Sequence, residues 1–503
     1  MPIANFLPTA VDYTRFLPEI LLTLAGTLIM FLEALRPEGK KSNAGVFAIV
    51  ALVLALPAAL MATPGPAFQG MLVVDGMATF FRTLVIVVGL LIVFSSTDYL
   101  RREKQETGEY YALVLFSIVG QCVMVTANEL IMIFIGLEIS SIASYILAGF
   151  LRDDARNNES ALKYFLLGSF ATAFLLYGVA WIYGATGSTN LSEIRRALTS
   201  GAAPPEAMIG VAAALIFVGL AFKISAAPFQ GWAPDVYQGA PAPVSAFLTV
   251  GPKAAAFAVL MRVFLGTLET AASHWMPAIW VCALATMVVG NFAAIMQSNI
   301  KRLLAYSSIA HAGYLLAAVW PGSRLGAAAV LFYLAAYVCT TLASFGFLAA
   351  LGRGGERDVT YDDIAGLAAR RPWMGVGLSV CMLSLLGFPG TFGFMGKWYI
   401  LSAVIAKGQT ALPVVLVVTS VISAGYYLPV IMAMYMKPAA TAESHQDTRL
   451  WPAAAGAIAL SVIALLLFGV WPAGALDVAG RSASTLTQTN LPIARPGVTV
   501  QVK

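Results

Sequence analysis

The chain has 503 residues and a formal net charge of +5; 59% of its residues are hydrophobic and only 11% are charged. An ordinary soluble domain carries about 45–50% apolar and about 25% charged residues, so there are too few charges to coat a water-facing surface of this size. Soluble enzyme folds, disorder and collagen are excluded, the small net charge gives no support for a nucleic-acid partner, and an all-α polytopic membrane protein is left.

A helix needs about 20 mostly apolar residues to cross a bilayer. In chain order about fourteen such stretches occur: 16–35, 43–63, 75–97, 109–127, 129–150, 160–183, 208–227, 243–265, 275–297, 303–321, 325–351, 373–406 (broken), 410–436 and 452–471. The first lacks a basic leader and a small-residue cleavage site, so it is expected to stay in the membrane as a helix. Between the sixth and seventh stretches, Leu191–Leu198 is expected to form a short surface helix. The tail after Trp471 is more polar and is expected to be partly extended.

The loops carry an orientation signal. Odd-numbered loops hold Arg36, Lys40, Lys41, Arg101, Arg102, Lys104, Arg152, Arg156, Lys301, Arg302, Arg353, Arg357, Arg370, Arg371, Lys437 and Arg449. Even-numbered loops hold only Arg195, Arg196, Arg324 and Lys407. Positive residues mark the cytoplasmic side, which places both termini on the opposite, periplasmic side.

Cofactor motifs are missing. Cys122, Cys282, Cys339 and Cys381 are isolated in apolar stretches, and there is no CxxC pair for zinc or an iron–sulfur cluster. His311 is the one histidine in a hydrophobic segment, so a bis-histidine haem has no ligands. No phosphate-binding glycine loop occurs. No cofactor or metal site is expected in this chain.

Six basic residues fall inside the predicted spans: Arg82, Lys163, Lys223, Lys253, Arg262 and Lys397. Arg262 lies near a helix end, where its long side chain is expected to snorkel to the interface. For Arg82 a structural ion pair and a functional role are equally open. A lysine at the bilayer centre costs roughly 2.5–3.5 kcal/mol, and four together on the order of 10 kcal/mol without partners or water. Such residues normally face a bundle interior or a wet cavity. Lys163 is one turn into its span and could also snorkel. Glu138 sits in the middle of the fifth span; Glu129 and Glu159 lie nearer helix ends, where a solvated cap is the plainer reading. Glu159 and Lys163 are four apart and share a helical face. Burial brings the protonation equilibria of lysine and glutamate toward neutrality, which suits them to moving protons.

Two spans look broken, by Pro228 in FKISAAPFQGWAPD and by Pro389 in LLGFPGTFGFMGKW. Non-helical backbone at membrane depth is tolerated only inside protein or beside a water-filled cavity, and each break lies beside a buried lysine. The breaks fall in spans seven and twelve, five apart. That spacing predicts two inverted five-helix repeats, spans 4–8 and 9–13, of the transporter kind. The expected organisation is a three-helix segment over 1–108, a first repeat over 109–265, a second over 275–436, and a final helix with its tail over 437–503.

The same residues carry a family resemblance. ALKYFLLGSF at 161–170, FKISAAPFQGWAPDVYQGAPAPVSAFL at 222–248, KRLLAYSSIAHAGY at 301–314 and GFPGTFGFMGKW at 387–398 resemble the antiporter-like membrane subunits of proton-pumping NADH:quinone oxidoreductase, respiratory complex I. The stretch DVYQGAPAPVSAFL is most similar to subunit N, the bacterial counterpart of mitochondrial subunit 2, rather than to subunits L or M. The resemblance implies proton translocation coupled to quinone reduction elsewhere in a hetero-oligomer, in a bacterial inner membrane, beside other membrane subunits of complex I. It implies that flavin, iron–sulfur clusters and quinone belong to partner subunits. It gives Glu138 a pairing with Lys223, supported by Lys163; it makes Lys253 part of a central polar axis and puts Lys397 near the outward exit. His311 is a candidate bridge between them or a satisfied core residue. A cation/proton antiporter subunit, sharing the broken-helix plan, and a non-conducting membrane scaffold are the alternative readings.

Overall fold

Helix dominates because a bilayer leaves the backbone no other partner for its N–H and C=O groups. The computed structural model describes residues 7–37, 42–200, 205–351, 359–438 and 452–486. The chain begins with α1 (Ala10–Arg15), α2 (Leu17–Ala34), α3 (Ala44–Met61) and α4 (Gly76–Arg102). It continues with α5 (Gly108–Thr126), α6 (Leu130–Ala148), α7 (Ala155–Thr186) and α8 (Leu191–Thr199), the last being the predicted surface helix. The first broken span is α9 (Glu206–Ile224) followed by α10 (Trp232–Gly239). Next come α11 (Ala242–Leu260), α12 (Ala272–Ile295), α13 (Ile300–Val319), α14 (Arg324–Leu351) and the single turn α15 (Leu367–Arg370). The second broken span is α16 (Pro372–Leu386) with α17 (Phe392–Ala406), and α18 (Ala411–Met436), α19 (Pro452–Val470) and α20 (Ala473–Ser484) close the fold.

Among the described residues, 12 helices are long and apolar enough to cross a membrane. The other two expected spans fall short of that measure for physical reasons. The α16–α17 pair is interrupted, leaving two shorter apolar helices. Helix α13 has 20 residues but carries Lys301, Arg302 and His311. Of the tail after Trp471, expected to be partly extended, the described part forms the helix α20, which packs on α14 and α4 and lets Thr485 Oγ1 accept the Met77 N–H at 3.2 Å; residues 487–503 lie outside the described residues.

A short antiparallel hairpin, β1 (Gly65–Ala67) and β2 (Leu72–Val74), joins α3 to α4. Arg15 holds it, donating from Nε to Thr63 O at 3.0 Å, from Nη2 to Pro64 O at 2.8 Å, and from Nη1 to Pro66 O. Asp12 accepts the Phe68 N–H at 2.7 Å. Burial pushes the Asp12 carboxyl up, but hydrogen bonds from Thr9 and Phe68, with Arg15 nearby, outweigh it and hold it below its ordinary value.

Helix α11 is buried along its whole length, and α5, α13 and α14 are nearly so. The outer helices show apolar side chains instead, such as Phe165, Leu166 and Phe170 on α7. Close crossings rest on glycine. A Cβ on Gly120 of α5 would lie 2.4 Å from Ser140 N and 2.5 Å from Gly136 O of α6. One on Gly290 of α12 would lie 2.4 Å from Ala310 N of α13. Small residues let membrane helices touch backbone to backbone. Gly120→Val is therefore expected to destabilise the fold by about 1–3 kcal/mol through overpacking. The check is the amount of assembled subunit on a native gel, and wild-type amounts would contradict it.

Candidate functional site

Lys223 lies in the last turn of α9, directly before the break. Ser225 takes a left-handed conformation (φ 60°, ψ 40°), and the chain then turns through Pro228 into α10. Ending the helix there leaves the Lys223 side chain inside the protein at 4% exposure. Its Nζ donates to Ser141 Oγ of α6 at 2.8 Å and to the Tyr164 hydroxyl of α7 at 3.1 Å. A small cavity lined by Leu137, Ser141, Tyr145, Gly168 and Thr172 opens beside it. Among the described residues no salt bridge joins Lys223 to Glu138, the partner that the resemblance implies. Glu138 is half-buried on α6, three residues before Ser141 and on the same face, and the serine hydroxyl takes the lysine.

Lys163 does not join that site. Its Nζ reaches Glu159 Oε1 and Asp235 Oδ2, each at 2.7 Å. It belongs to a half-exposed ion cluster around Asp235. Glu159 is a member of that cluster and not an isolated cap.

Lys253 sits in the middle of α11 at 1% exposure. Its Nζ donates to Ser308 Oγ at 2.5 Å and Ser308 O at 3.0 Å, both on α13. Lys397 lies in α17, just beyond the second break. Gly387 ends α16 with a positive φ of 86°, which frees carbonyls at the helix terminus. Lys397 Nζ donates to Leu385 O at 2.9 Å and Leu386 O at 3.0 Å. A cation is favoured at the negative end of a helix dipole. Ser420 Oγ of α18 is a third partner at 2.8 Å, and the Tyr314 ring lies 4.8 Å from the ammonium.

Helix α13 joins these groups. Ser307, Ser308, His311 and Tyr314 recur at spacings of three and four, so they share one side of the helix. Ser308 holds Lys253, and Tyr314 lies under Lys397. His311 lies between them, with Nδ1 on the Tyr333 hydroxyl and Nε2 at 3.1 Å from the Tyr427 hydroxyl. Tyr427 also meets Ser307 Oγ. Each hydroxyl can donate or accept, so both tautomers of the ring are accommodated. Tyr427→Phe removes the one hydroxyl that touches both Ser307 and His311. Each lost hydrogen bond is worth about 1 kcal/mol, and the expected result is several-fold slower turnover of the assembled protein. Unchanged turnover would remove Tyr427 from the network.

The sequence matches a family model described as NADH:quinone oxidoreductase/Mrp antiporter, TM, over residues 127–423, which is more than half of the chain. The chain belongs to this family. It is 52% identical to NADH-quinone oxidoreductase subunit N 1 of Solibacter usitatus over 478 residues, 94% of this chain and 98% of that protein. It is 42% identical to NADH-quinone oxidoreductase subunit N 2 of Koribacter versatilis, covering 96% and 99% of the two chains. Among solved structures it is similar to a chain of respiratory complex I from Thermus thermophilus with bound aureothin, at TM-score 0.79, 34% identity and 92% and 99% coverage. A chain of the Mrp complex from Dietzia sp. matches at TM-score 0.83 with 22% identity, over 96% and 99% of the two chains, and shares the fold.

Three other buried cations in this family member have structural partners. Arg82 donates from Nε at 2.8 Å and Nη2 at 2.7 Å to Glu19 Oε1, and the two side chains are 1% and 0% exposed. Arg262 does not reach out to solvent. It lies where α11 continues as a π-helical turn (Met261–Thr267), 5% exposed, bound bidentately to Asp75 at 2.9 and 3.1 Å. Lys301, expected in a cytoplasmic loop, is 2% exposed and donates to Ala240 O at 2.7 Å. The residues that sequence reasoning missed are Ser141, Tyr164, Ser308, Tyr333, Tyr427, Asp235 and Glu19. The hydroxyls carry no sequence signal that separates them from other serines and tyrosines; Asp235 and Glu19 are acids close to apolar stretches, which is a signal.

Proposed function

We infer that this chain is a proton-translocating membrane subunit of a respiratory NADH:quinone oxidoreductase. One observation carries the reading. Lys223, Lys253 and Lys397 are at most 6% exposed, and among the described residues no carboxylate lies within salt-bridge distance of any of them. A buried ammonium that rests on hydroxyls and carbonyls is weakly compensated, so it can release its proton. The buried arginines Arg82 and Arg262, by contrast, are each paired with a carboxylate.

Glu138 and Lys223 form the first proton-holding group, with Ser141 and Tyr164 between neighbouring helices. His311 of α13 follows, with Lys253 joined to that helix through Ser308 and Lys397 through the Tyr314 ring. The broken helices α9–α10 and α16–α17 belong to two inverted five-helix repeats over 109–265 and 275–436, flanked by an N-terminal segment over 1–108 and a C-terminal one over 437–503. The chain lies in a bacterial plasma membrane, and the excess of Lys and Arg in the odd-numbered loops supports both termini being periplasmic. It holds no redox centre; flavin, iron–sulfur clusters and quinone sit in partner subunits, and other membrane subunits flank it.

The test is purification of the tagged chain from its membrane, followed by assay in inverted vesicles. The expected result is copurification with flavin and iron–sulfur absorbance and NADH-driven proton uptake. Copurification without those centres, with sodium-dependent proton exchange, would replace this reading by the cation/proton antiporter.

A further inference from the structure

Helix α10 has eight residues, and the non-helical stretch 225–231 separates it from α9. No continuous helical ladder fixes its position relative to α9. Side chains from two directions do. From α7, Asn157 Nδ2 donates to Gly239 O at 2.8 Å, Ser160 Oγ to Asp235 O at 3.3 Å, and Lys163 Nζ to Asp235 Oδ2 at 2.7 Å. From α13, Lys301 Nζ donates to Ala240 O at 2.7 Å, and Arg302 Nη1 donates to Asp235 Oδ1 at 2.7 Å and Gln238 Oε1 at 3.0 Å. Asp235 answers a cation from each direction, with one carboxylate oxygen for each.

The other side of α10 bears on the Lys223 site. The Trp232 ring stacks on Tyr164 at 4.5 Å with the planes 6° apart, and its Nε1 donates to Phe222 O at 3.0 Å. Tyr164 hydrogen-bonds Lys223, and Phe222 is the residue before it. A shift of α10 therefore moves the ring that sets one of the two partners of Lys223. The same shift pulls on the first turn of α13, the helix that holds Ser308 and His311.

We propose that Asp235 is a positioning residue for the proton route: by holding Lys163 of α7 and Arg302 of α13 together, it seats α10 and so sets the Trp232–Tyr164–Lys223 geometry. This rests on the proton-translocating function above. Asp235 does not carry the proton; it determines where Tyr164 presents its hydroxyl, and it ties the Lys223 site to the helix that serves Lys253 and Lys397.

The test uses the whole complex in inverted membrane vesicles, with assembled amounts read on a native gel. Asp235→Asn is expected to lower NADH:quinone turnover and proton uptake per assembled complex about tenfold, as for a small misplacement of a reacting group. Asp235→Glu, which keeps the charge, is expected to recover most of it. Arg302→Gln is expected to fall similarly, and the double variant Asp235→Asn with Arg302→Gln to be no worse than Asp235→Asn alone, because both break one link. Wild-type turnover per assembled Asp235→Asn complex overturns the proposal. So does an Asp235→Glu variant as slow as Asp235→Asn, or independent, multiplying losses in the double variant. If Asp235→Asn does not assemble, Arg302→Gln alone decides by the same per-complex turnover. A parallel Lys223→Ala sample separates the two levels: its full activity would remove the function itself, whereas inactive Lys223→Ala beside fully active Asp235→Asn removes only the role of Asp235.

Discussion

Lys223→Ala is expected to abolish both NADH-driven proton uptake and coupled quinone reduction while the complex still assembles. The side chain is 4% exposed and, among the described residues, hydrogen-bonds to the hydroxyls of Ser141 and Tyr164, which can turn to water when it is removed. The structural loss is therefore small. The chemical loss is not, because a positioned proton-transfer group contributes about 10²–10⁴-fold to the step that it serves. Lys223→Arg separates the two requirements. Arginine keeps a fixed positive charge but does not release its proton at working pH, so retained pumping would mean that charge alone suffices, and lost pumping that proton release is needed. Full turnover and full pumping by an assembled Lys223→Ala complex would return the chain to the scaffold reading.

Arg82→Ala is expected to have the largest effect on stability. Glu19 is 0% exposed, and one of its oxygens, Oε2, has no hydrogen-bond partner. Arg82 is its only cation among the described residues. Breaking a buried pair by removing one member costs about 3–5 kcal/mol, because the other charge is left in a low-dielectric interior. Replacing both members, Glu19→Gln with Arg82→Met, removes the stranded charge and is expected to cost much less. Thermal unfolding of the detergent-solubilised complex compares the two. An Arg82→Ala protein as stable as wild type, or one no less stable than the double variant, would show that the pair does not hold α2 against α4.

Much of this protein is legible in its residues. The pair of breaks at Pro228 and Pro389 and the lysines beside them stand out because proline and central lysine are both costly in a spanning helix. Where the reading went astray, the cause is common to all cases. Arg262 and Lys301 both sit near helix ends, and a basic residue there is free to snorkel or to be buried; the neighbouring helices α4 and α10 supply Asp75 and the Ala240 carbonyl and bury them. The tail after Trp471 is polar enough to be taken as extended, but α14 and α4 offer a surface on which α20 folds.

The residues by themselves determined the solvent, the order of apolar segments, the sites of helix breakage and the charges that must be sheltered, since each of these follows from local composition against the fixed thickness and polarity of a bilayer. Only the tertiary structure decided what each sheltered charge touches. Lys223 meets a serine 82 residues away, and Lys253 one 55 away. Such partners are set by which helix faces cross, and a single serine or tyrosine hydroxyl adds too little to composition or periodicity to announce itself. The distinction between a buried arginine paired with a carboxylate and a buried lysine held by hydroxyls and carbonyls is therefore a property of the packed bundle.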